Sequence, residues 1–325
     1  MGMLRERLRA AGLDDVTSVE PVSGGLAATA GLARRVDGAP LFVKAFDTDA
    51  PGDDVFTVEA EGLAALRAAG LETPDVVHAG PDLLVLSALA PRPSTPAFWE
   101  DLARSLAHVH TTTRSERFGW HRDGWLGRRR QVNTWTEDGF DFFAQHCLLR
   151  WLDEPRVDAA LDAADRAALE RLCERLPEVL PGGPACLTHG DLWASNVMAT
   201  AGGRPALIDP AVSYTWPEVD LAHVWTTAPP PEAGAFFGLY AELTGLDDDW
   251  RERLPVVQLR QHLAVVAQFD PDWGRRTPSA RRSRPSGPAD RRRPSAQSFG
   301  RDCAPSTGGS ADHGNVIQRS VSFHE

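Results

Sequence analysis

All ten tryptophans of this 325-residue chain lie at or before Trp273, and residues 275–325 hold no Leu, against ten Arg, nine Ser, five Pro and five Gly. A segment of that make-up cannot bury enough apolar area to offset the entropy of ordering it. It is expected to be a disordered tail, and any core must come from the residues before it. The tail reads in three ways: an Arg-rich arm for an anionic partner, a stretch of altered reading frame in place of a native last helix, or a passive solvated extension. It carries a local charge of +6, so the overall −11 leaves the rest of the chain at −17. A body that acidic repels a nucleic-acid backbone, which argues against nucleic acid as a partner of the folded part.

No apolar run approaches the roughly 18 residues needed to cross a bilayer, and Leu83–Ala90 is both short and interrupted by Ser87. A membrane partner is therefore not expected. The N-terminus, MGMLRERLRAAGL, is charged throughout and lacks the apolar centre of a signal peptide, so a cytoplasmic location is expected. Cys147, Cys173, Cys186 and Cys303 form no CxxC pair, which argues against a zinc cage and a disulfide scaffold and for reduced thiols.

Apolar spacing predicts an amphipathic helix over 3–12, then strand, turn and strand through PVSGGLAATAGLARRV. The run PLFVKAF is β-prone, with Leu41, Val43 and Ala45 on one face and Phe42, Lys44 and Phe46 on the other. VFTVEAEGLAALRAAG reads as a helix carrying Glu59 and Glu61 and ending at Gly70. A strand over 82–90 follows, and the Pro-rich PRPSTP at 91–96 divides a β-rich lobe, 1–90, from a larger helical one, 91–274. In the second lobe helices are expected over FWEDLARSLAHVHTTT, 138–152 and 158–178, with His108 and His110 as partly exposed helix residues. PACLTHGDLWASNVMAT and GRPALIDPAV then read as two short apolar strands, each ending in an Asp-bearing loop. Helices at 218–226, 233–243 and 254–269 complete the lobe.

Of the 34 basic residues, 33 are Arg and one is Lys44. Arg bias explains the 33, but a single retained Lys suggests a place where a compact ammonium is needed and a planar guanidinium fails. A second cluster is His189-Gly190-Asp191 with Asn196 five residues beyond Asp191 and Asp209 after the next strand. Phosphoryl transfer needs an Asp to take the proton of an incoming hydroxyl, and oxygen ligands such as Asn and a second Asp for Mg²⁺. Taken singly, Asp191 also fits a loop-capping carboxylate, Asn196 an N-cap, and Asp209 a turn residue before Pro210. Their combination with a strand Lys and a following helix Glu has the order found in kinases. Lys44 is flanked by Val43 and Ala45, so it is no Walker A lysine, and neither GxSxG nor HExxH occurs.

From about Val16 to Phe269 the sequence resembles the fructosamine (ketosamine-3) kinases, within the aminoglycoside phosphotransferase and choline kinase group. The resemblance is carried by SGGL, FVK at Lys44, FTVEAEGL, FGW at 118–120, QVNTW at 131–135, HGDLWASN, IDPAVSY and PEVDLA. HGDLW-x-x-N with IDPA is specific to the narrower family, whereas HGD-x-x-x-x-N marks only the larger group. The resemblance implies an α+β, two-lobed, protein-kinase-like fold with ATP between the lobes and a ketosamine or glycated lysine as acceptor. It implies that Lys44 contacts the α- and β-phosphates and pairs with Glu59, that Asp191 is the catalytic base, and that Asn196 and Asp209 bind Mg²⁺. Gly24 and Gly25 would belong to the phosphate-covering loop and His189 would brace the catalytic loop. Trp193 would face the sugar or pack in the core, and Glu218 and Asp220 would hold the lobe together. Ser87 stands where the family often has Glu. Two alternatives remain open, a kinase for another amino-bearing acceptor such as an aminoglycoside or choline, and a nucleotide-binding pseudokinase.

Overall fold

The computed structural model describes residues 2–22, 28–46, 50–227 and 229–269. Gly24, Gly25 and the tail from 275 lie outside these residues. The chain opens with helix α1 (Gly2–Ala10) and strands β1 (Val16–Pro21), β2 (Thr29–Arg35) and β3 (Leu41–Ala45). Helix α2 (Val55–Ala68), β4 (Val76–Ala79) and β5 (Leu83–Ser87) complete the first layer. The five strands form one antiparallel sheet in the order β1-β2-β3-β5-β4. The alternation of PLFVKAF decides what each face meets. Leu41, Val43 and Ala45 join Ala33, Leu83 and Val85 in a cluster with Leu4 and Leu8 of α1. Full burial of each of these two leucines stabilises the lobe by roughly 1.5–3 kcal/mol. Phe42 and Phe46 lie on the opposite face, with Leu84, Leu86 and the α2 residues Phe56 and Leu63. Lys44 shares this second face and is thereby aimed at α2.

After the connector, α3 (Pro96–Thr112) begins at Thr95, whose side chain accepts from Phe98 N–H, and carries Phe98, Trp99, Leu102 and Leu106 into the main core. A small hairpin of β6 (Gly124–Leu126) and β7 (Arg129–Gln131) follows. The two helices expected over 138–152 and 158–178 are broken into pieces: α4 (Gly139–Phe142), a π-helical turn at 143–148, a 3₁₀ segment at 149–153, α5 (Pro155–Ala160), α6 (Ala163–Glu174) and α7 (Leu176–Val179). Pro155 and Pro177 can start a helix but not continue one, and the capping box of Asp162 with Asp165 starts α6 afresh.

The expected pair of apolar strands is four shorter ones, β8 (Cys186–Thr188), β9 (Val197–Ala199), β10 (Pro205–Leu207) and β11 (Ser213–Thr215). The Asp191 loop separates β8 from β9, and Asp209 separates β10 from β11. Because β9 pairs with β10 and β11 with β8, the two loops are brought side by side. Helices α8 (Glu218–Thr226), α9 (Gly234–Thr244) and α10 (Trp250–Gln268) close the lobe, α9 against α3 and α10 against α8. No helix among the described residues is long and apolar enough to cross a membrane.

Candidate active site

Lys44 Nζ lies 2.7 Å from Glu59 Oε1 and also forms an ion pair with Asp209, which reaches it from the other lobe 165 residues away. Lys44 keeps 10% of its side chain exposed and Asp209 keeps 37%, so the carboxylate is the more accessible member of the pair. Burial works against the Lys44 charge, yet Asp209 and Glu59 outweigh it and raise its pKa above the ordinary value. Burial likewise opposes the charge of Asp209, and Lys44 holds that carboxyl below its usual range. Burial pushes Glu59 up to about 7, against the pull of Lys44. Asp209 is the one non-glycine residue with positive φ among those described, at 56°. Such a conformation costs on the order of 1–3 kcal/mol and is kept only where surroundings enforce it.

The helix bearing Glu59 is braced against the second lobe. Asp54, just ahead of α2, accepts from Arg122 Nη2 at 2.8 Å, Arg130 Nη1 at 3.0 Å and Trp125 Nε1 at 2.9 Å. Glu61 meets His121 Nε2 at 2.7 Å and Trp120 Nε1 at 3.2 Å.

The loop after β8 is built on Gly190, whose φ is 78° and whose hydrogen points at Ala211 O so closely that a Cβ would overlap it. That approach lets Ala211 N–H donate to His189 O at 2.8 Å, tying the Asp191 loop to the Asp209 loop. His189 Nε2 must donate to Ile208 O at 2.9 Å, while its Nδ1 accepts from Asp191 N–H at 3.2 Å, which specifies a neutral ring. Burial, the largest influence, lowers its pKa accordingly. Asn196 Nδ2 donates to Asp191 O at 2.8 Å and lies 3.3 Å from Asp191 Oδ2, leaving its carbonyl oxygen as the acceptor toward any cation. Trp193 is half-buried and Asp191 partly open.

Beneath the loop Asp220 accepts from His189 N–H and Gly190 N–H, each at 2.8 Å. His110 lies with Nε2 3.3 Å from Asp220 and Nδ1 2.6 Å from the Tyr240 hydroxyl. Burial opposes the Asp220 charge, but these donors hold its pKa below the ordinary value. His110 is therefore buried, not partly exposed as expected from sequence. It prolongs the apolar stripe Leu102–Leu106 at i+4 spacing, a signal that places it inside. Glu218 is buried with Arg253 Nη2 at 3.6 Å, and burial raises its pKa.

The sequence profile of the fructosamine kinases matches residues 6–280. The chain belongs to the fructosamine kinase family. A relative in rice (Oryza sativa subsp. japonica), a chloroplastic protein-ribulosamine 3-kinase, is 29% identical over 168 residues, 50% of this chain and 47% of its own length. The chain thus spans about half the length of this relative. A structure from Thermobifida fusca assigned as a fructosamine-3-kinase superposes with a TM-score of 0.73 at 28% identity, over 83% of this chain and 93% of the other. The choline kinase of Streptococcus pneumoniae, at 17% identity and a TM-score of 0.57 over 99% of this chain and 97% of its own, shares the fold. The fold of this fructosamine kinase family member is α+β and protein-kinase-like, a sheet lobe followed by a helical one.

Four further residues at the site are not among those the sequence points to as site residues. Gln131, from QVNTW, donates to Ala211 O at 3.2 Å and accepts from Arg260 Nη2 at 3.0 Å. Arg260 Nη1 donates to Gly190 O at 2.7 Å and Gln261 Nε2 to the same oxygen at 3.0 Å. His223 on α8 reaches Asp191. The hint is that QLRQ in α10 is polar within a buried helix, since buried polar groups need partners.

Proposed function

We propose that the chain is an ATP-dependent kinase that transfers the γ-phosphoryl group to a sugar hydroxyl of a ketosamine, such as the 3-OH of a fructosamine on a free amine or a glycated lysine. The observation that supports it most directly is the Lys44 ammonium held between Glu59 and Asp209, a strand, a helix and a loop meeting across two lobes. Membership of the fructosamine kinase family and the ribulosamine kinase relative support the acceptor class. The division of labour we propose is a nucleotide lobe over 1–90 and a catalytic and acceptor lobe over 91–274. Free thiols at Cys147, Cys173 and Cys186 support a reducing compartment such as the cytoplasm.

The hydroxyl oxygen of the acceptor forms the new bond to phosphorus, the bond to the β-phosphate oxygen breaks, and ADP leaves. The hydroxyl proton passes to the Asp191 carboxylate. Lys44 binds the α- and β-phosphates, and Glu59 keeps its ammonium in place. The residues fit Mg²⁺: Asn196 offers a carbonyl oxygen and Asp209 a partly exposed carboxylate, the hard donors this ion takes. Among the described residues no group of three or more His, Cys, Asp and Glu is arranged to hold a metal alone. When bound, Mg²⁺ neutralises charge on the transferring phosphates.

ATP consumption with Mg²⁺ and fructosyl-lysine, compared between the native chain and Asp191→Asn, tests this. A loss of about 10²-fold or more is expected from removing a general base. Undiminished turnover in Asp191→Asn, Lys44→Met or Asp209→Asn contradicts the site. A folded, ATP-binding chain that leaves fructosyl-lysine untouched moves the acceptor to another amino-bearing alcohol.

A further inference from the structure

The two oxygens of Asp191 are not equivalent. Oδ1 lies 3.1 Å from His223 Nε2 on α8 and 3.0 Å from Gln261 Nε2 on α10. Among the described residues Oδ2 has one longer contact, Asn196 Nδ2 at 3.3 Å. The hydrogen on His223 is specified by its neighbours. Its Nδ1 faces the Gln258 side chain, with Nε2 of that amide at 3.3 Å, so Nδ1 accepts and Nε2 donates to Asp191. This orientation leaves Gln258 Oε1 buried with no partner among the described residues. Turning the amide over would satisfy that oxygen only with a hydrogen on Nδ1. A ring carrying that hydrogen alone would then press the Nε2 lone pair against a carboxylate, so Nε2 must still be protonated. In either orientation Nε2 donates.

A carboxylate oxygen has two lone-pair sites, and two donors fill those of Oδ1. The proton of an incoming hydroxyl is left with Oδ2. We propose that His223 and Gln261 are positioning residues that hold Oδ1 of Asp191 and so present Oδ2 to the acceptor hydroxyl. This rests on Asp191 being the base. The backbone before the base is held in the same way, since Gly190 O accepts from both Arg260 and Gln261, and Arg260 is itself anchored on Gln131. A base whose rotamer is set before substrate arrives needs no reorganisation during proton transfer.

Kinetics of the full chain with MgATP and fructosyl-lysine test the assignment through His223→Leu, Gln261→Leu, His223→Gln and Asp191→Asn. His223→Leu and Gln261→Leu are each expected to lower kcat about tenfold, the scale of one charge-assisted hydrogen bond, with KM for ATP within about twofold of native. His223→Gln keeps an N–H toward Asp191 and an acceptor toward Gln258, and is expected to restore kcat to within about threefold. Unchanged kcat in the two Leu variants overturns the proposal. So does a fall in kcat matched by a rise in KM for ATP and a lower melting temperature, the pattern of general disruption, with no rescue by Gln. Turnover retained in Asp191→Asn instead removes the base on which the proposal stands, and is told apart by that variant alone. If fructosyl-lysine is not an acceptor, the same ratios are read from ATP hydrolysis, where water is the hydroxyl that loses its proton. A native chain that turns over neither overturns the kinase assignment and this proposal together.

Discussion

Gly190 and Asp220 make the Asp191 loop one object with its supports. At Gly190 a methyl group would overlap Ala211 O, and the backbone is left-handed as well. Gly190→Ala is expected to cost more than about 2 kcal/mol in denaturant unfolding and to abolish turnover, because the two loops must separate. Asp220 gathers two loop N–H groups and His110, and its pKa is lower folded than unfolded. Its contribution is therefore complete above the ordinary Asp range near pH 4 and disappears as pH falls through the depressed value. Asp220→Asn should lose roughly 3 kcal/mol at neutral pH, and the native chain's advantage over it should shrink in unfolding curves at about pH 3. Lys44, Asp191, Asn196 and Asp209 could be proposed from sequence because one is the chain's single Lys and the others fall in short patterns that phosphate chemistry uses, and the fold brings Lys44 to Asp209 and Asn196 to Asp191. His223, Gln131 and Arg260 could not, because a buried polar side chain is defined by partners far away in the chain. His110 could have been placed by its stripe.

At the scale of elements, the setting of α2 decides whether Lys44 has its Glu59. Asp54 and Glu61 tie the helix to the β6–β7 region through two arginines, two tryptophans and His121. Burial opposes the Asp54 charge, but hydrogen bonds from Arg130 and Trp125 hold its pKa below normal, so the brace stays ionised at working pH. Asp54→Ala is expected to raise KM for ATP severalfold while costing about 1–2 kcal/mol of stability, measured by steady-state kinetics and denaturant melts. Period-two alternation made β3 and its faces legible, and 3.6-residue spacing did so for α2, α8 and α10. It failed between 138 and 178, where apolar residues are continuous enough to suggest two helices. There the deciding features are prolines and a capping box, and these act on hydrogen bonds that spacing does not register.

For the whole molecule, nucleotide bound between the two lobes as proposed would link binding to folding. MgATP at about 100 times its Kd should add about 2.7 kcal/mol and raise the melting temperature by roughly 5–10 °C, and the rise should vanish in Lys44→Met. An unchanged melting temperature in the native chain would contradict a nucleotide cleft. The lobe order is legible from the passage of strand-like to helix-like periodicity near residue 91, whereas the pairing of β8 with β11 rests on contacts between three-residue strands too short to announce themselves. Residues 1–90 and the Asp191 and Asp209 loops precede α10 in chain order, yet α10 supplies Arg260 to Gly190 O and Gln261 to the Asp191 carboxylate. Domains fold from the N-terminus during synthesis. Under the proposed mechanism, a nascent chain with α10 still inside the ribosome has the residues assigned to phosphate binding but an unbraced Asp191, so full turnover is expected only once residue 268 has emerged.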